Sequence, residues 1–192
     1  MQIQHSMFVP EAVELVRDDE GGIVYHPPCV PVAEQRRGFD ELCTAVVWRS
    51  QQRPMYDRIV DVPRLMASVA LDDPACPPCL VGLLAAACAV APAPYTRAGL
   101  NLYRNGGDSV AMHGDRVHEL TPGCPIAIVS LGAPRDMLIR PRQGGGALRV
   151  CLAPGSVLVM SRLSQTTHLH GIPKTSQAAG ARISVAFRGR RC

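Results

Sequence analysis

The segment His113-Gly114-Asp115 sets an imidazole and a carboxylate two positions apart. In an extended chain, side chains two apart point to the same side, so both groups would face one point in space. A second imidazole, His170, follows much later in the chain. Two histidines and one carboxylate are the donor set that holds Fe(II) while leaving positions open for a cosubstrate and oxygen. His168, two before His170, competes for the same side.

The stretch Arg182-Ile183-Ser184-Val185-Ala186-Phe187-Arg188 adds a second chemical signal. As a strand it turns Arg182 and Arg188 to one face and Ile183, Val185 and Phe187 to the other. Two arginines facing the inside of a barrel are costly to desolvate unless anions pair with them. A dicarboxylate meets that need, because guanidinium grips carboxylate through a two-pronged hydrogen bond. The competing reading is the polar outer face of a surface strand. Asn101 and Tyr103, also two apart, can share a strand face and hydrogen-bond the same ligand.

These groups need a scaffold, and the pattern from residue 98 onward supplies one. Short β-type runs recur at Gly99–Tyr103, Ser109–His113, Pro125–Leu131, Met137–Arg140, Ala147–Leu152, Ser156–Met160 and Arg182–Arg188, separated by glycine-rich turns. Arg140–Leu152 reads as a hairpin around Gly144-Gly145-Gly146. Many short antiparallel strands point to a barrel or jelly roll. Upstream, helices are expected over Phe39–Val47 and Pro78–Val90, with Pro92 ending the second. Residues 48–64 read as loop and short strand, and the N-terminal third as irregular and proline-rich.

Composition bounds the rest. The 192 residues are 47% hydrophobic and 19% charged, enough for one domain with a packed core and against wholesale disorder. No apolar run reaches the ~18 residues that would cross a bilayer. Met1–Asp18 lack the basic start and apolar stretch of a signal peptide, so a cytoplasmic location is expected. Residues 1–96 hold 7 Lys/Arg against 12 Asp/Glu, whereas residues 97–192 hold 13 against 4. Such asymmetry is expected of a second half that meets an anion, though a solvated basic face has the same look. The eight cysteines are expected as reduced thiols, with Cys76-Pro77-Pro78-Cys79 a loop rather than a zinc or redox motif, since no second pair follows.

Taken in series, Asn101-Leu102-Tyr103, His113-Gly114-Asp115, Ser130-Leu131-Gly132, His170-Gly171-Ile172-Pro173-Lys174 and Arg182…Phe187-Arg188 resemble the AlkB family of Fe(II)/2-oxoglutarate-dependent dioxygenases. Met55-Tyr56-Asp57-Arg58, with Pro63-Arg64 after it, resembles the region before the catalytic core in actinobacterial-type members. Ile139-Arg140-Pro141-Arg142 before the triple glycine points the same way. The resemblance implies an α+β, mainly β fold, a double-stranded β-helix or jelly roll. Residues 98–192 would form the catalytic core and residues 1–97 an extension with helices and a nucleotide-recognition lid, all one structural domain. It implies Fe(II) held by His113, Asp115 and His170, with O2 as oxidant. 2-Oxoglutarate would be bound by Asn101, Tyr103, Arg182, Ser184 and Arg188. It implies oxidative removal of alkyl groups from bases such as 1-methyladenine or 3-methylcytosine, with release of formaldehyde, succinate and CO2. The partner is then alkylated DNA or RNA, bound by a monomer without a membrane. The alternative on the same core is a hydroxylase of a small molecule or a protein side chain.

The match also departs from the family. Ser184 and Ala186 stand where the last strand usually carries Asn and Thr, and Val117 stands where several members carry an acidic residue that contacts the base. Aromatics are only 4%, so Trp48, Tyr56 and Tyr95 are the few stacking partners for an extruded base, each with core packing as the competing role. Arg116 and His118 stand next to the His-Gly-Asp motif as substrate contacts, and Arg104, Arg140 and Arg142 join Arg116 as phosphate contacts.

Overall fold

The structure, a computed structural model, describes residues 11–55, 58–177 and 179–190. Twelve strands and three helices follow in chain order. They are β1 (Val13–Val16), β2 (Ile23–His26), α1 (Val32–Ala45), β3 (Arg49–Met55), β4 (Arg58–Ala70), α2 (Cys79–Val90), β5 (Arg97–Tyr103), β6 (Val110–His113), β7 (Ile126–Gly132), β8 (Arg135–Pro141), β9 (Leu148–Leu152), β10 (Val157–Met160), α3 (Ser164–Thr167), β11 (His168–Ile172) and β12 (Arg182–Arg188). The strands make two antiparallel sheets. The major sheet runs β1-β2-β10-β7-β12-β5-β4-β3, and the minor sheet runs β6-β11-β8-β9. Two facing antiparallel sheets form the expected jelly roll.

Strand alternation divides the core in two. On β7 and β12 the residues Ala127, Val129, Leu131, Ile183, Val185 and Phe187 turn toward the helices and join Leu42 of α1 and Leu80, Leu83 and Ala87 of α2. The alternate residues Ile126, Ile128 and Ala186 turn inward and meet Ile139 and Ile172 of the minor sheet. Both faces of β7 are therefore covered, which is why its sequence is nearly all apolar instead of alternating. α2 is apolar almost all round, yet it buries only Cys79, Leu80, Leu83 and Ala87, and leaves Val81, Ala85 and Ala89 exposed on its outer face.

Several elements differ from the sequence expectation. α1 starts at Val32, not Phe39, because only Gly38 and Leu42 of the helix are buried and its polar first turns carry no apolar period to read. Within residues 48–64, expected as loop and short strand, 49–55 and 58–64 belong to the longer β3–β4 hairpin. Pro63 hid it, since a proline argues against a strand interior. It lies where pairing with β3 breaks, between Asp61↔Gln52 and Leu65↔Ser50, so its missing N–H leaves no ladder bond unmade. The N-terminal third contributes β1 and β2 to the major sheet, where irregular chain was expected. β11 was also unread. Its sequence HLHGI puts functional histidines where apolar strand residues would stand.

Candidate active site

The inner face of the major sheet and the end of the minor sheet meet at His113, Asp115 and His170. Each offers one ligand atom, and these atoms all lie within 4.8 Å of one another, the one such His/Cys/Asp/Glu group among the described residues. His113 ends β6 and pairs across the ladder with His170 of β11, the two rings 4.4 Å apart. Asp115 does not reach the site by strand alternation, as the sequence reading assumed. β6 stops at His113, and the loop after it folds the carboxylate back.

Hydrogen bonds fix the donors. The Ala111 carbonyl accepts from His113 Nδ1 at 2.9 Å, which leaves Nε2 with the free lone pair, 3.6 Å from Asp115 Oδ1. Asp115 Oδ2 is held by Arg188, through Nε at 2.7 Å and Nη2 at 2.6 Å, so Oδ1 remains for a metal. Burial alone raises the Asp115 carboxyl, but the neighbouring His113 and the Arg188 guanidinium outweigh it and hold the group well below the usual carboxylate range. His170 is 6% exposed, and burial, then the neighbouring His113, push its pKa down to about 4. It is therefore a neutral imidazole, the form that ligates. The donor set fits Fe(II).

A second group of residues fits a dicarboxylate. Arg182 is 1% exposed. Its Nη2 donates to Ser130 Oγ at 3.1 Å, while Nε and Nη1 have no hydrogen-bond partner. A buried guanidinium with idle donors is stable only if an anion completes it. The ring of Tyr103 lies beside it, 5.3 Å from the guanidinium carbon, and burial raises the Tyr103 phenol so that it stays a donor. Asn101 and Ser184 face each other across the β5–β12 ladder, as Tyr103 and Arg182 do. Arg188 occupies the same face further along, lying over Gly99, where a Cβ would approach its Nη1 to 2.7 Å. Gly99 and its ladder partner Ala186 thus leave the room in which Arg188 reaches Asp115.

A cleft of about 620 Å³ opens beside the triad, lined in part by Arg64, Asn101, Arg116, Glu119, Arg188 and Arg190. Glu119 pairs with Arg116 at 3.0 Å and Arg190 at 2.8 Å. A larger groove of about 810 Å³, between the end of α1 and β4, does not touch the triad.

The remaining sequence candidates fall as follows. Trp48 packs on the helix-side core and donates to the Leu42 carbonyl at 3.1 Å, and it does not line the cleft. Tyr95 is buried in the same core against Phe187. Tyr56 lies outside the described residues. His118 is exposed beside Glu119. His168 bonds Thr167 Oγ1 and stays outside the triad. Arg104 is engaged with Asp108, and Arg142 donates to the Gln165 carbonyl. Cys79 is pushed up to about 12 by burial and by Glu41, so the Cys76/Cys79 pair offers no ready thiolate. Residues the sequence reading left without a role include Ser130 and Arg64, which donates to Asn101 Oδ1 at 2.8 Å. Ser130 was legible in principle, being the one polar side chain in a strand otherwise apolar from Ile126 to Leu131.

A profile of the 2OG-Fe(II) oxygenase superfamily matches residues 67–188, which span the triad and both arginines. The chain belongs to this superfamily. Its relatives are AlkB-like. The human DNA oxidative demethylase ALKBH2 is 35% identical over 97 residues, and human alkB homolog 3, an alpha-ketoglutarate-dependent dioxygenase, is 34% identical over 98. The alignments cover 46% of this chain but only 37% and 34% of those proteins, so the matched region is about a third of their length. The solved structure of OsALKBH1 superposes with a TM-score of 0.66 over 87% of this chain and 97% of that one, at 16% identity, a likeness of fold. The protein is accordingly an Fe(II)/2-oxoglutarate-dependent oxygenase by its superfamily, and it is similar in sequence to AlkB-type proteins. Members of this superfamily use Fe(II), 2-oxoglutarate and O2.

Proposed function

We propose that this oxygenase removes alkyl groups from nitrogens of nucleobases such as 1-methyladenine or 3-methylcytosine, and that its partner is alkylated DNA or RNA. The observation that carries the reading is the cleft beside the triad, lined by Arg64, Arg116 and Arg190, in a chain whose relatives are named DNA oxidative demethylases.

His113 Nε2, Asp115 Oδ1 and His170 would hold the iron. Arg182, with Tyr103 and Asn101, would take one carboxylate of 2-oxoglutarate, with Ser184 and Arg188 on the same strand face. When bound, iron with 2-oxoglutarate and O2 supplies the oxidant for one C–H bond, yielding succinate and CO2. A methyl group so hydroxylated leaves its nitrogen as formaldehyde. The chain's own work is placement. The cleft orients the alkylated base over the triad, Arg188 keeps Asp115 ionised, and the apolar inner core excludes water from the cosubstrate end. Residues 1–97 supply the β3–β4 hairpin at the edge of the major sheet, which serves as the nucleotide-recognition lid.

The test is turnover of an oligonucleotide carrying 1-methyladenine or 3-methylcytosine, with formaldehyde as readout. Affinity for it should fall steeply with salt if arginines hold phosphates, and a flat salt response removes that part. A second reading is favoured by one observation: among the described residues, those lining the cleft include no Phe, Tyr or Trp to stack a base. Under it the enzyme hydroxylates a small molecule or a protein side chain. Turnover of free metabolites, with none on oligonucleotides, decides for it.

A further inference from the structure

Iron ligands are rarely oriented by themselves, and here the loop bearing Asp115 lacks a strand to hold it. One buried side chain outside the triad takes that place. Gln165 sits in the one-turn helix α3, is 2% exposed, and accepts a hydrogen bond from the Asp115 backbone N–H at 3.1 Å through Oε1. Its Nε2 is turned the other way, toward the Ser161 carbonyl at 3.4 Å and Ser164 Oγ at 3.3 Å. Those contacts fix which end of the amide faces Asp115, because the Ser161 carbonyl can only accept.

The backbone of Gln165 closes the same junction. Its carbonyl accepts from Arg142 Nη2 at 3.3 Å, and Arg142 N donates to the Thr167 carbonyl at 2.9 Å. Gly114 is pressed against this pair: a Cβ there would run into the Gln165 carbonyl oxygen and Arg142 Nη2. α3 leads directly into β11, which carries His170. A single half-buried turn thus grips the peptide of one ligand and launches the strand of another.

We propose that Gln165 is a positioning residue for the metal centre: it sets the Asp115 carboxylate, through the Asp115 peptide, in register with His170. The inference rests on the reading of His113, Asp115 and His170 as the metal ligands. Such outer contacts typically change metal affinity by about 10–100-fold when removed.

The experiment is a Co(II) titration of the full chain, followed by the visible absorption of the bound ion, on wild type, Gln165→Met, Gln165→Glu and Thr166→Ala. Gln165→Met keeps the bulk and removes the acceptor, and it should weaken Co(II) binding about tenfold or more with an altered band shape. Gln165→Glu keeps an acceptor for the Asp115 N–H and should bind more tightly than Gln165→Met. Thr166→Ala, exposed on the same turn, should match wild type. Equal affinity and spectrum in wild type and Gln165→Met overturn the proposal. Wild type that binds no Co(II) overturns the ligand assignment itself. Should Gln165→Met fail to fold, amide exchange in the wild type decides. The Asp115 N–H, outside any strand, should exchange at least about a hundredfold slower than an open loop amide, and exchange at the open rate refutes the bond.

Discussion

Arg182 and Arg188 lie on one strand and one face, yet the chain treats them oppositely. Arg188 has its carboxylate already, in Asp115 at 2.6 Å, and keeps some contact with solvent. Arg182 is fully enclosed, shares one donor with Ser130, and has two nitrogens without partners. The first pair is internal and serves the metal ligand. The second is an unfinished pair, and completing it takes a carboxylate from outside. The difference teaches that burial without a partner marks a binding group, whereas burial with one marks a supporting group.

That contrast can be broken by substitution. Arg182→Met should raise the KM for 2-oxoglutarate by roughly 30-fold to several thousand-fold, equivalent to about 2–5 kcal/mol for losing one side of a buried charge pair. Succinate formation measured against cosubstrate concentration reads it. The same variant without cosubstrate should melt no lower than wild type, because it removes an unpaired buried charge. Arg188→Met should act through Asp115, weakening Mn(II) or Co(II) binding about 10–100-fold, with a smaller effect on the KM for 2-oxoglutarate. If both variants shift the same parameter, the two arginines do one job and the comparison fails.

A thermal shift sharpens it. At a hundredfold excess over its Kd with metal present, 2-oxoglutarate should stabilise wild type by about 2.7 kcal/mol, a rise of roughly 5–10 °C in Tm. Arg182→Met should show at most about a third of that rise at the same concentration. The smallest effect concerns Asp108, whose carboxyl is held below its ordinary value, chiefly by the Arg104 hydrogen bond. A depressed carboxyl contributes stability that is present above the unfolded value near 3.9 and is lost as pH falls through the folded value. Asp108→Asn should therefore cost about 1 kcal/mol at pH 7 and progressively less as pH falls through the folded value, as read by denaturant midpoints along that pH series.

The sequence carried the site further than it carried the frame. Arg182 and Arg188 were readable as polar types at strand spacing in an otherwise apolar segment, and His113, Asp115 and His170 through their donor types and the resemblance, although Asp115 arrives by a loop and not by strand spacing. Gln165 was not readable, since an amide in a run of Ser and Thr looks like turn, and its role depends on a loop 50 residues away. β1 and β2 were missed, and β3–β4 was read only as loop and short strand, for a different reason. These flanks of the major sheet, with β1 and β3 at its edges, show little alternation, and Pro63 at a break in pairing looks like a terminator. Trp48 shows the limit of residue type as a guide: its indole N–H is satisfied by the Leu42 carbonyl, so its ring belongs to packing beside the helices.

The order of the major sheet sets how this protein can be cut. Its two outer flanks, β1-β2 and β4-β3, both come from the N-terminal half, while β10, β7, β12 and β5 between them come from the C-terminal half. A fragment starting at residue 98 would thus bare the backbone of β10 and of β5 at once, along with the apolar surface that α1 and α2 cover. Such a piece would be prone to stick to its own copies, so shortening this enzyme from the front sacrifices solubility before it touches a ligand.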